Sequence, residues 1–111
     1  MRDGPPPDGD LARLSREFAY TCDGDGTITW MDARAERLLG MRPGDVLLAL
    51  AVHGEEEKIA RFLRAALNGP TEAWELAQVA RGVPRTLAVW AKPYVHGVLV
   101  VGNVLADSYG P

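Results

Sequence analysis

A chain of 111 residues has room for one hydrophobic core, which excludes a catalytic and a regulatory domain side by side. At 47% hydrophobic and 24% charged residues the composition is that of an ordinary soluble domain, and no apolar run reaches the ~20 residues of a membrane span. A net charge of -3 supplies no basic field for a phosphate backbone, so neither a nucleic-acid nor a membrane partner is expected; the single cysteine, Cys22, excludes an internal disulfide and fits a cytoplasmic setting.

Residues 1–9 are rich in Pro, Gly and Asp and read as a disordered tail. Asp10 can N-cap a short flanking helix over 10–17, on which Leu11, Leu14 and, one turn on, Phe18 form a single apolar stripe. Residues 18–22 and 27–31 are two β-favouring runs. They are joined by Asp23-Gly24-Asp25-Gly26, whose glycines accept the positive φ of a hairpin turn. Asp32 is then placed to N-cap a helix carrying Ala35, Leu38 and Leu39 on one side, with Gly40 at its stop. Pro43 and Gly44 open a segment over 45–51 that is too compact for periodicity to assign. Glu55, Glu56 and Glu57 put negative charge on the first turn of a longer helix. Its Ile59, Phe62, Leu63 and Ala66 share one face, and Asn68-Gly69 ends it.

Beyond Pro70 the period becomes strand-like: 71–80, a turn at Arg81-Gly82, 84–92, a tight connection through Gly97, and 98–106. The last run is apolar on both faces, as suits a central strand. Helices grouped between a leading hairpin and a closing three-strand meander define an α+β fold.

Residues 21–29 are similar to the middle of an EF-hand calcium loop, with Asp23, Asp25, Gly26 and Ile28 in register. Thr21 and Asp32 stand where that loop needs its first aspartate and its bidentate glutamate, so this reading yields only a weak calcium-binding module. No metal-ligand cluster, nucleophile elbow or phosphate loop is present, and no catalytic residue is assigned. A small cone-shaped α+β enzyme remains an alternative by analogy of fold alone.

The same stretch fits a longer pattern: turn Asp25-Gly26, strand residue Ile28, a capping residue at Asp32, then Glu36-Arg37-Leu38-Leu39-Gly40. It continues through Pro43-Gly44-Asp45, through His53 before the acidic helix start, through Pro93 and Gly97 in the meander, to Asp107. In this order, over about residues 17–107, the chain resembles the PAS sensory domains. The resemblance implies a domain over 18–107, a C-terminal linker over 108–111, and a five-stranded antiparallel sheet in the order 2-1-5-4-3 with short helices on one face. It also implies a homodimer in a signal-transduction protein, of the two-component kind, with an output domain such as a histidine kinase or cyclase outside this chain. Asp107 then marks the point where the signal leaves. The pattern is departed from at Asp32, which replaces an asparagine, at Gly54, which replaces a proline, and at Asp107-Ser108-Tyr109. Gly102 also lies one residue further from Asp107 than the pattern sets it, which leaves the register of the last strand open.

Flavin-binding members carry a Gly-Arg-Asn-Cys run that this sequence lacks, and haem-binding members take a histidine from the long helix, where 55–67 has none. Neither flavin nor haem is expected; a small-molecule ligand is compatible with the pattern. Ile28, Trp30, Phe62, Leu63, Leu76 and Asn103 are the candidates to line a small cavity, with Asn103 as the polar group that orients a ligand. Trp30, Trp74 and Trp90 each fall on a strand, where they pack in the core, cover the outer sheet face or line that cavity. Leu11, Leu14 and Phe18 are expected at the dimer interface, docked on the sheet face the helices leave uncovered.

Overall fold

The structure, a computed structural model, describes residues 17–105; the expected tail over 1–9, the expected helix over 10–17 apart from its last residue, Asp107 and the linker over 108–111 lie outside them. Along the chain run β1 (Phe18–Asp23), β2 (Ile28–Met31), α1 (Ala33–Leu39), a 3-10 turn (Leu47–Leu50), α2 (Glu56–Asn68), β3 (Trp74–Ala80), β4 (Val83–Tyr94) and β5 (Gly97–Val104). The strands form one antiparallel sheet in the order β2-β1-β5-β4-β3, the order the sequence pattern implied.

Local chemistry sets the helix ends. Asp32 Oδ1 accepts the Ala35 N–H at 2.8 Å and so starts α1. Gly40, at φ 68, stops it and returns its N–H to the Glu36 carbonyl. α2 lays Ile59, Phe62, Leu63 and Ala66 against the sheet, the four positions its 3.6-residue period selects.

The segment over 45–51, which periodicity left unassigned, is held by the sheet edges. Ile28 and Asp45 pair through an N–H to carbonyl bond of 2.8 Å at the β2 edge, and Leu47 N–H donates to the Gly26 carbonyl at 2.9 Å. At its other end Ala51 bridges to Gln78, and Val52 N–H donates to the Ala77 carbonyl at 3.1 Å, on the free edge of β3. The segment thus runs from one sheet edge to the other and pairs with part of each.

Strand alternation divides the apolar residues between two faces. Toward the helices lie Phe18, Tyr20 and Cys22 of β1, Val98 and Val100 of β5, Leu87, Val89 and Ala91 of β4, and Leu76 of β3. On the outer face Ala19, Leu99 and Val101 form a smaller cluster with Trp30, Trp90 and Tyr94 around it. Gly102 settles the register of β5, standing opposite both Phe18 and Val89. A Cβ there would come 2.4 Å from the Ala88 carbonyl oxygen and 2.9 Å from Phe18 Cζ, so only glycine leaves room for the Phe18 ring.

Phe18 corrects the sequence expectation. It is not the end of a helical stripe facing a partner but the first residue of β1, fully buried on the helix side and stacked on Tyr20 with ring centroids 6.2 Å apart. Its β propensity and the pairing with Gly102 outweigh the i, i+3, i+7 spacing that linked it to Leu11 and Leu14.

Candidate functional site

The space between the sheet and α2 brings together four of the six residues named as cavity lining: Ile28, Phe62, Leu63 and Leu76 are all in the one core cluster. Trp74 closes this region from β3, edge-on to Phe62 with centroids 5.4 Å apart and planes at 61°. Trp30 and Asn103 lie on the opposite face. Residues two apart on a regular strand share a face, so Trp30 should follow Ile28 inward. The β1–β2 pairing shifts register between Thr21 and Cys22, which sends Ile28 into the core and Trp30 out to the Ala19–Leu99–Val101 cluster. Asn103 pairs with Ala88 and is one step from Val104, which packs on the core, so alternation turns Asn103 outward. It is not the polar group of the interior.

That role falls to two residues the sequence did not single out. Tyr20 and Gln78 are fully buried, and the Tyr20 hydroxyl and Gln78 Oε1 have no hydrogen-bond partner. The Gln78 amide nitrogen donates only to the thioether of Met41, at 3.8 Å, a weak acceptor. A signal for Gln78 was present: Trp74, Leu76, Gln78 and Ala80 are alternate residues of one strand, and Gln78 interrupts an otherwise apolar face. Tyr20 was masked because a tyrosine between Phe18 and Cys22 reads as plain core.

Burial, and next to it the charge of Cys22, pushes the Tyr20 phenol well above its ordinary 10.0, while burial and then Asp23 push the Cys22 thiol up to about 12. Both stay protonated at neutral pH, so Tyr20 is a hydrogen-bond donor and Cys22 an inert apolar group. Tyr20 is on β1 and Gln78 on β3, with β5 and β4 between them. Three inter-strand spacings of about 4.8 Å part their strands, and because Tyr20 aligns through Val100 with Ala91 while Gln78 pairs with Arg85, they are also offset by about 20 Å along the strands.

The other motifs resolve into structure. Asp23 Oδ1 accepts the N–H groups of Asp25 at 2.9 Å and Thr27 at 3.0 Å, closing a turn between two strands where a calcium loop would join two helices. Among the described residues no three His, Cys, Asp or Glu side chains gather into a metal site, and His53 and His96 are exposed. Besides the Tyr20 hydroxyl, the buried polar side chains among the described residues are Thr21 and Gln78, and no Asp or Glu among these residues is buried. No helix among these residues is long and apolar enough to cross a membrane.

No family model matches the sequence, and no curated protein matches it. Among solved structures, the PAS domain of the Cronobacter turicensis RpfR quorum-sensing receptor in complex with C12:0 is similar, with a TM-score of 0.61 at 15% identity over 84% of this chain and 97% of that one. The same receptor domain in complex with BDSF gives a TM-score of 0.59 at 16% identity over the same shares of the two chains. At such identities the likeness is one of fold. The chain has the fold of a PAS domain.

Proposed function

We propose that the chain is a sensory module that takes an elongated, mainly apolar small molecule between its sheet and α2, and passes the event through a homodimer to an attached output domain. One observation carries this reading: two polar atoms, the Tyr20 hydroxyl and Gln78 Oε1, face the core side of the sheet fully buried and without a partner. Each such group costs about 1–3 kcal/mol, a cost that a ligand with matching polar atoms removes. The two groups are set apart both across and along the sheet, which favours an elongated ligand over a compact one. Tyr20 donates to an acceptor head group such as a carboxylate. C12:0 and BDSF in the two complexes of the similar RpfR PAS domain support the acyl-chain class. Calorimetric titration of this chain with C12:0 should give a micromolar dissociation constant, weakened about tenfold by Tyr20→Phe, which removes only the hydroxyl. No heat of binding, or an unchanged constant in the variant, would overturn the reading.

The outer face supports the dimer. Ala19, Leu99 and Val101 are already buried within the single chain, and half-buried Trp30, Trp90 and Tyr94 at their margins are the apolar side chains left to meet a second copy. Leu11 and Leu14, outside the described residues, stay with this proposed interface; Phe18 leaves it. Sedimentation should show a dimer for the whole chain and folded monomer for Trp90→Glu. A wild-type chain still monomeric at about 100 μM contradicts the dimer. An output domain such as a histidine kinase or cyclase, reached through Asp107, and a cytoplasmic setting complete the proposal.

A further inference from the structure

Away from the interior, a surface groove of about 510 Å³ runs between α1 with its C-terminal turn and the β3–β4 turn. Arg37, Arg42 and Arg81 converge on it against a single carboxylate, Glu36. All three arginines are exposed, and none has an ion-pair partner among the described residues. Gathering three arginines against one carboxylate leaves net positive charge in the groove, which an added anion relieves. The groove is positive although the whole chain carries a net charge of -3.

Arg81 is fixed in place. It and Gly82 form the two-residue turn at φ 54 and φ 80, a geometry that Asn or Gly adopts at lower cost than arginine. Its guanidinium Nη1 donates to the Arg37 carbonyl at 3.3 Å, and its side chain lies over Gly40, where a Cβ would stand 2.9 Å from Arg81 Cγ. The charge is therefore held over the groove before anything binds, which lowers the ordering cost of binding.

We propose that this groove docks an acidic segment of a partner polypeptide, with two or three neighbouring Asp or Glu side chains meeting Arg37, Arg42 and Arg81. The chain's own ends do not supply such a segment: residues 1–16 hold Asp3, Asp8 and Asp10 against Arg2, Arg13 and Arg16, and residues 106–111 hold Asp107 alone. A small-molecule site encloses most of its ligand, whereas here Met41 is the one buried lining residue and the rest are exposed. An open, cationic, partly pre-ordered trough fits a peptide whose remaining length lies outside it. For a sensory domain this is a second surface, distinct from the proposed ligand interior and dimer face.

The test uses the whole chain and a fluorescein-labelled hexapeptide of Asp and Glu, with a Gln/Asn hexapeptide as control, read by fluorescence anisotropy. The acidic peptide should bind and the control should not, with binding weakened at least tenfold by Arg81→Glu and by Arg42→Glu, the latter leaving the Arg81 turn intact. Arg61→Glu, an equal change of charge on α2 outside the groove, should alter binding by less than about twofold. Raising salt from 50 to about 300 mM should weaken binding severalfold, as the Debye length shortens. Absence of binding, equal losses in all three variants, or displacement of the peptide by millimolar inorganic phosphate at constant ionic strength would each overturn the proposal.

Discussion

Phe18→Ala is expected to destabilise the fold by about 3–5 kcal/mol, as read from urea unfolding of the wild-type and variant chains. The ring is fully buried, stacks on Tyr20 and fills the place that a side chain at position 102 would take. Deleting it leaves a cavity walled by β1, β5 and β4, three hydrogen-bonded strands that cannot close on it without breaking register. The outcome separates two roles. A residue that served a partner surface would leave a folded, stable monomer when truncated; a core residue leaves a chain near its unfolding limit, since a domain of this size is stable by only about 5–15 kcal/mol. A loss under about 1 kcal/mol would place Phe18 back on a surface.

Alkaline pH is the second large effect. Cys22 and Tyr20 are acids whose folded-state pKa values are raised, the thiol from an ordinary 9.0 to about 12. Below pH 9 both groups are protonated in folded and unfolded chains alike, and their burial carries no penalty that depends on pH. Between pH 9 and about 12 the unfolded chain releases the Cys22 proton while the folded chain keeps it, so stability falls by roughly 1 kcal/mol per pH unit for this group. Tyr20 adds a like slope above its ordinary 10.0. Cys22→Ala should flatten the fall between pH 9 and 10, where Tyr20 is still protonated in both states. Identical slopes in wild type and Cys22→Ala would show that the thiol is not buried in the folded state.

The elements that local chemistry fixes were legible in the sequence. The Asp32 cap, the Gly40 stop and the face of α2 follow from propensities and a 3.6-residue period, and each is realised at the residue expected. The strand order came from the resemblance in motif order rather than from any one motif. Long-range pairing decided the rest. A bulge that no local signal announces separates Trp30 from Ile28. β5, apolar on both faces, gave no hint of which alternate set turned inward, so Asn103 went to the wrong side. The segment over 45–51 has no pattern of its own because the edges of β2 and β3 shape it. Gln78 could be picked out as the polar residue on an alternating apolar face, whereas Tyr20 becomes notable only when its burial and missing partner are known.

The three tryptophans provide the most direct test of the interior as ligand site, because Trp74 packs on the core side while Trp30 and Trp90 pack on the outer face. In a titration of the 15N-labelled chain with C12:0, the Gln78 side-chain amide and the Trp74 indole N–H signals should shift together to saturation, with the Trp30 and Trp90 indoles unmoved. Shifts confined to Trp30 and Trp90, with Gln78 and Trp74 silent, would place the ligand on the outer face and contradict the interior site.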